Sequence, residues 1–284
     1  MRLVVLGSTG MAGHVVATYL EERGHEVFRV SRSERSTQKS IALDITRFDA
    51  LDAFLDRVQP DAVINCIGLL QKASEERPDL AVLINAYLPH RLEKRYAGCR
   101  TRVIHLSTDC VFSGKRGNYR EADVPDGPIM YDRSKALGEL RNDKDLTFRM
   151  SIIGPDSHPR GTGLFNWFMA QTGEISGWSG AIWNGVTTIE LARAIDAALQ
   201  TDLSGLYHLV PNRTIDKYSL LTLFRETFGR TALSVKRTQG LAADKSLCNT
   251  RTDFDFAVRD YPRQIQDMKQ WIDAHRELYP HYFP

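Results

Sequence analysis

Tyr131 and Lys135 stand four residues apart in YDRSK, where the local pattern reads as the start of a helix. That spacing stacks the two side chains on one face, a turn apart. An ammonium beside a phenol favours the phenolate and draws its pKa from about 10 towards the working range. Such a pair can give a proton to a carbonyl oxygen or take one from the corresponding alcohol. Upstream, HLSTDCVFSG ends a strand-like run at Ser107 and Thr108. A hydroxyl at the carboxyl end of a parallel strand can hydrogen-bond a reacting oxygen; the lesser alternative is that Ser107, Thr108 and Asp109 simply end the strand through side chain to backbone bonds. Thr108, Tyr131 and Lys135 are therefore the candidate catalytic group.

A second constellation lies at the amino terminus. Gly7, Gly10 and Gly13 are spaced three apart, directly after RLVVL and at the opening of a helical pattern. Absent side chains let a pyrophosphate approach, and the helix start offers free N–H groups and a positive dipole end. The same GSTGMAG turn brings Ser8, Thr9, Met11 and Ala12 to the expected dinucleotide site. At the end of the second strand, where an NAD site places a carboxylate for the ribose 2′-hydroxyl, the chain has Ser31 and Arg32. A hydroxyl and a guanidinium suit a 2′-phosphate, so the expected cofactor is NADP(H) in preference to NAD(H). Asp44 and Ile45 are expected to flank the adenine, and Cys66, Ile67 and Gly68 to meet the cofactor at the end of a further strand.

The elements that must position these groups alternate. RLVVLG, EVFRV, DAVINCIG, RVIHLS and LTFRMSIIG read as strands, separated by helical patterns over 12–23, 50–58, 80–96 and 131–140. Repeated strand and helix predict an α/β fold, a Rossmann-like doubly wound parallel sheet, because parallel neighbours require crossovers. After Pro155 turn formers dominate HPRGTG, ISGWSG and WNG, with helical stretches over 188–199 and 218–228. The expected organisation is a dinucleotide-binding and catalytic domain over 1–155. A smaller α/β substrate lobe takes most of 156–284, with some segments returning to the sheet. The aromatic tail LYPHYFP is expected to pack on the body or on a partner chain.

Composition excludes other classes. With 37 Lys and Arg against 35 Asp and Glu, no global basic field points to nucleic acid or a membrane surface. Cys66, Cys99, Cys110 and Cys248 have neither CxxC spacing nor paired histidines, and His105, His158 and His208 are far apart, so no metal or disulfide is expected. Without a signal-like start or an eighteen-residue apolar run, the expectation is a soluble cytoplasmic protein. A second copy of the chain is a candidate partner, the sequence leaving oligomeric state open.

In the order GSTGMAG, VINCIG, INAYLP, STDCVFSG, YREADVPDGP, YDRSKALGE and FRMSIIGP, the chain resembles the extended short-chain dehydrogenase/reductases, most closely the dTDP-4-dehydrorhamnose reductase family, from Met1 to about Leu199. The resemblance implies hydride transfer from nicotinamide to the 4-keto group of a nucleotide-linked deoxysugar. Tyr131 would be the proton donor and, with Lys135, a cofactor contact, Lys135 holding the nicotinamide ribose; Thr108 would be the orienting hydroxyl, and Asp109 and Cys110 substrate neighbours. It also brings Asn85 and Ser107 to the cofactor, and Asn166 and Trp167 to the nucleotide diphosphate or base. Cys110 stands where the family has tyrosine, and Asp132 where it has glycine. Trp178, Trp183 and Asn184 are further candidates over the pocket, with core packing as the alternative for each tryptophan. Arg149 is either an anion contact or a core salt-bridge partner. An epimerase or dehydratase that retains NAD could use the same three catalytic residues, and a methionine adenosyltransferase regulatory subunit in the family binds dinucleotide as a partner protein.

Overall fold

The computed structural model describes residues 1–211 and 213–283. Strand β1 (Arg2–Leu6) leads into α1 (Met11–Glu22), then β2 (Glu26–Ser31), β3 (Ser40–Ala42), α2 (Phe48–Val58) and β4 (Ala62–Asn65). Helices α3 (Gln71–Glu76), α4 (Pro78–Ala81) and α5 (Leu88–Arg95) precede β5 (Arg102–Thr108), α6 (Met130–Leu137), β6 (Leu146–Met150) and β7 (Ile152–Ile153). The second half comprises α7 (Leu164–Met169), β8 (Glu174–Trp178), β9 (Ala181–Trp183), β10 (Val186–Thr187), α8 (Thr188–Ala198), β11 (Gly205–His208), β12 (Ile215–Asp216), α9 (Lys217–Thr227), β13 (Ser234–Thr238), β14 (Ala243–Asp244) and α10 (Tyr261–Ala274).

Seven strands form one parallel sheet in the order β11-β6-β5-β4-β1-β2-β3. Its chain order reverses between β1 and β4, the switch point at which a crevice opens beyond the carboxyl ends of the strands. Alternation along β1 divides the core: Leu3 and Val5 pack with α1, α8 and α10, whereas Val4 and Leu6 pack with α2 and α5. Both faces are thus covered, which is why the central strands read as nearly continuous apolar runs.

β11, although distant in sequence, extends the sheet beside β6, with Gly205 opposite Leu146 and His208 opposite Arg149. Short two- and three-stranded ribbons built from β8, β9, β12, β13 and β14 form a smaller layer with α7 and α9. The tail folds back onto the body, Tyr279 and Tyr282 being buried in the same core as α1 and α10.

One helix differs from its periodicity. Residues 80–96 predict an uninterrupted helix, but Val82–Tyr87 form a π turn between α4 and α5. Pro89 has no N–H to give Asn85 O, four residues back, and its ring excludes that carbonyl from an ordinary α turn. The freed Asn85 carbonyl instead lies against Gly138 after α6, where a Cβ would approach it to 2.0 Å. α6 and the π turn are packed together through this contact.

Candidate functional site

A cavity of about 510 Å³ opens at the switch point, lined by Gly7, Thr9 and Gly10 of the first turn, Ser31, Arg32 and Ser33 after β2, Asp44 and Ile45 beyond β3, and Cys66, Ile67 and Gly68 beyond β4. The turn depends on two glycines. Gly7 has φ of 80°, and a Cβ there would stand 3.0 Å from Ile67 Cγ1. A Cβ on Gly13 would stand 2.1 Å from Gly7 O, so only glycine lets α1 lie this close to the turn. α8, α9 and α10 each receive a side-chain cap, from Thr187, Asp216 and Asp260. α1 starts on Gly10 without one and carries no acid in its first turn, so its N–H groups remain available to an anion. This cradle fits a dinucleotide pyrophosphate.

Around the cradle, Thr9 Oγ1 donates to Ser31 Oγ at 3.0 Å and pairs with Ser33 Oγ at the same distance. Ser8 is buried and donates to Glu34 at 2.8 Å, a carboxylate that the sequence reading did not single out. Met11 lies beneath the Gly163 turn, Ala12 packs in the core, and the Asp44 carboxylate accepts from Thr46 N and Oγ1, which hold it below its usual range. Asn85 does not line the cavity: it is fully buried, accepts from Leu69 N at 2.8 Å and donates to Leu69 O and Ser134 Oγ. It pins the chain after β4 to α6. Ser107 likewise turns into the protein and donates to Glu139 at 2.8 Å.

Thr108 ends β5 and donates to Asp109 Oδ1 at 3.1 Å while accepting from Cys110 N at 3.1 Å. The side chain therefore also has the local strand-ending role. Tyr131 and Lys135 share α6, whose Met130 N–H donates to Glu75 of α3 at 2.6 Å. Burial pushes the Tyr131 phenol up, and the nearby Cys110 adds to this, while the Thr108 hydroxyl opposes it. That direction is opposite to the shift which the Tyr–Lys spacing predicts. Burial is the larger influence, and Lys135 is engaged elsewhere: its Nζ donates to Leu106 O at 2.5 Å and lies 3.3 Å from His105 Nε2. Burial lowers the Lys135 pKa to about 8. Desolvation pushes the half-buried Cys66 thiol up to about 12, with Lys135 opposing the shift.

Beyond Thr108 the site acquires charge. Burial raises the Asp109 carboxyl, opposed by Lys245 and Lys217. Burial lowers Lys217 to about 8, with Asp109 and Cys110 opposing the shift. Lys217 also lines a second cavity of about 540 Å³, predominantly apolar, with Leu164, Trp167, Trp178, Leu221 and Leu241. Trp167 and Trp178 are 43% and 44% exposed, so each offers an accessible ring. Lys217 was not singled out in the sequence because no local pattern distinguishes a lysine at a helix start that turns inward.

Three anticipated substrate contacts have other partners. Arg149 is 0% exposed; its Nε and Nη2 donate to the two oxygens of Glu139 at 2.7 and 2.5 Å, and its Nη1 meets His208 Nε2 at 2.9 Å. It is a core ion-pair residue. Trp183 is buried against Tyr261, with the Lys217 ammonium 4.9 Å from its ring centre. Asn166 accepts from Tyr282 of the tail and donates to Thr162 O at 3.0 Å, so both ends of its amide are engaged. Asn184 also serves the fold, pairing with the Leu247 backbone through both amide ends.

The tail touches the cofactor turn as well. His14 lies between Gly10 O, 2.9 Å from Nδ1, and the Tyr279 hydroxyl, 2.8 Å from Nε2, and Trp271 Nε1 donates to the same hydroxyl at 2.9 Å. Among the described residues no cluster of three His, Cys, Asp or Glu side chains could hold a metal, and no helix is long and apolar enough to cross a membrane.

His208 offers a pH test of this buried architecture. Burial, then the Arg149 guanidinium, lower its pKa to about 4. As pH falls from about 6.5 towards that value, the unfolded chain binds a proton that the folded chain refuses, so stability declines. Urea midpoints should fall steadily between pH 7 and 4.5, with a shallower fall in His208→Gln. A flat wild-type midpoint across the window contradicts this linkage.

The RmlD substrate binding domain family model matches residues 1–161. A dTDP-4-dehydrorhamnose reductase of Mycolicibacterium smegmatis is 36% identical over 141 residues, 49% of this chain and 40% of that protein. The methionine adenosyltransferase 2 subunit beta of Xenopus tropicalis is 25% identical over 247 residues, covering 80% of this chain and 72% of that one. Alignments to the first curated relatives span roughly half of their length, 40% and 54%. Among solved structures, a hypothetical dTDP-4-dehydrorhamnose reductase from Sulfolobus tokodaii superposes with a TM-score of 0.76 at 27% identity, over 92% of this chain and 98% of the other. With more than half its length matched by the family model and the switch-point sheet intact, the chain belongs to the RmlD substrate binding domain family.

Proposed function

We propose that this protein is an NADPH-dependent reductase of the 4-keto group of a nucleotide-linked deoxysugar. The observation that carries the reading is the placing of two sites on the carboxyl side of one parallel sheet, with only β4 between their strands: the uncapped glycine turn of β1 and α1, and the Thr108, Tyr131 and Lys135 group of β5 and α6. A bound dihydronicotinamide would supply the hydride to the carbonyl carbon. Thr108 would orient the keto oxygen and Tyr131 would give that oxygen its phenolic proton, so that ketone, hydride and proton make the alcohol. Lys135 would hold the nicotinamide ribose. The raised phenol starts in the protonated form that a donor needs.

On the substrate side, Trp167 and Trp178 would supply stacking faces for the base, and Lys217, which reaches from that apolar cavity towards Asp109, would meet an anionic part of the nucleotide. A second reading, a dinucleotide-binding subunit without turnover, draws on the Xenopus tropicalis relative and its 80% coverage of this chain. Retention of all three catalytic residues weighs against it.

Preference for NADPH is supported by Ser31, Arg32 and Ser33 on the cavity wall, with Glu34 engaged by Ser8. A charge-assisted contact contributes about 1.5–3 kcal/mol. Arg32→Ala should therefore weaken NADPH binding about 10- to 100-fold in a fluorescence titration and leave NADH binding almost unchanged. Equal losses for both cofactors count against a 2′-phosphate contact.

A further inference from the structure

Beneath the candidate catalytic lysine runs a buried polar chain that the reaction above does not use. Asn65, the last residue of β4, and His105, in the middle of β5, are paired in register across the sheet and are fully buried. Asn65 Nδ2 lies 3.1 Å from His105 Nδ1, and Asn65 Oδ1 accepts from the Ile67 N–H at 3.2 Å. On the other side of the ring, His105 Nε2 lies 3.3 Å from Lys135 Nζ.

The chemistry of these groups fixes their roles. The Asn65 oxygen is taken by a backbone N–H, so the amide nitrogen faces the imidazole, and that nitrogen can only donate. His105 Nδ1 must then accept. A neutral imidazole carries one proton, which is left on Nε2, aimed at Lys135. An N–H aimed at an ammonium opposes it, whereas the same N–H aimed at a neutral amine finds a lone pair. The amine can still donate to Leu106 O, the remaining contact of Nζ. The ammonium form needs Nε2 as an acceptor, which moves the ring proton to Nδ1 and requires the Asn65 amide to turn over. Ile67 N–H, on the wall of the cofactor cavity, would then lose its acceptor.

We propose that Asn65 and His105 are positioning residues for Lys135: the asparagine holds the Nε2–H tautomer of the histidine, and that tautomer opposes the ammonium and favours the neutral amine. This rests on the reading of Lys135 as part of the catalytic group. In a titration the Nζ proton exchanges with solvent while the ring keeps one proton throughout, on Nε2 beside the neutral amine and on Nδ1, with the Asn65 amide turned over, beside the ammonium. The pair thereby sets the charge that Lys135 carries beside the candidate site.

The other titratable groups around the pair are accounted for. Glu139, beyond α6, and Cys66, beyond β4, favour the Lys135 charge, and burial opposes it. His105 is kept neutral by burial, then by Lys135 and His90. Neither Glu139 nor Cys66 selects a tautomer, because neither contacts the ring.

The test is nitrogen NMR of the full chain labelled with ¹⁵N-histidine, with His105 assigned by loss of its signals in His105→Gln. Above about pH 8.5 the wild-type ring should be neutral with its proton on Nε2; a proton on Nδ1 overturns the proposal, whatever the protein catalyses. Asn65→Asp offers only acceptors and should move the proton to Nδ1. In the same variant the alkaline limb of kcat/KM for keto-sugar reduction should move up by about one pH unit. A shifted limb with an unchanged tautomer would instead be a direct effect of the new carboxylate and would also reject the coupling. If Tyr131→Phe turns over normally, the catalytic reading fails, and the tautomer measurement still stands separately.

Discussion

Tyr131→Phe is expected to lower kcat for keto-sugar reduction by about 10²- to 10⁴-fold, the range that a positioned proton donor supplies. The substitution removes one hydroxyl and keeps the ring of this half-buried side chain, so packing in α6 is retained and NADPH binding should change by less than a few fold. The separation matters because Lys135 and Thr108 also have structural partners, namely Leu106 O, Asp109 and Cys110 N. Their removal would mix chemistry with folding. Steady-state kinetics together with a cofactor titration distinguish the outcomes: loss of kcat with cofactor binding intact supports the proton donor, and a parallel loss of both points to damage in the site.

Arg149→Leu has the largest expected effect on stability. It leaves Glu139 buried, with only the Ser107 hydroxyl and the half-exposed Arg141 as partners. Breaking a buried pair on one side costs about 3–5 kcal/mol, much of it the penalty on the stranded charge. A urea melt should show that loss, and Arg149→Leu with Glu139→Leu should recover much of it, since apolar replacement of a whole pair is often close to neutral. The folded fraction should bind NADPH normally. A variant of wild-type stability with weakened substrate binding would instead return Arg149 to the role of an anion contact.

Legibility in the sequence followed the range of the interactions. Parallel strands between amphipathic helices could be read because each element carries its own periodicity, and the turn at Gly7, Gly10 and Gly13 because its whole geometry lies within seven residues. Tyr131 and Lys135 share a helix face for the same local reason. What the lysine touches was not legible, because its partners are on β5, nor was the burial that raises the phenol, which only the folded chain creates. For Arg149 the sequence offered a core salt bridge as one of two readings but could not choose it, since the contact to His208 joins strands 59 residues apart, and Asn166 gave no sign of being occupied by the tail 116 residues later. His14 and Tyr279, 265 residues apart, meet only in the folded chain. The π turn was concealed because Pro89 breaks one hydrogen bond without altering the apolar repeat.

The most direct test of the reductase reading is to incubate the protein with NADPH and, in turn, dTDP-, UDP-, GDP- and CDP-linked 4-keto-6-deoxysugars, following cofactor absorbance and the sugar product together. The account predicts that one carrier drives NADPH oxidation with an equal amount of 4-hydroxy sugar formed. NADPH that binds and is consumed with none of them, or NAD that copurifies tightly and is never released, would contradict it.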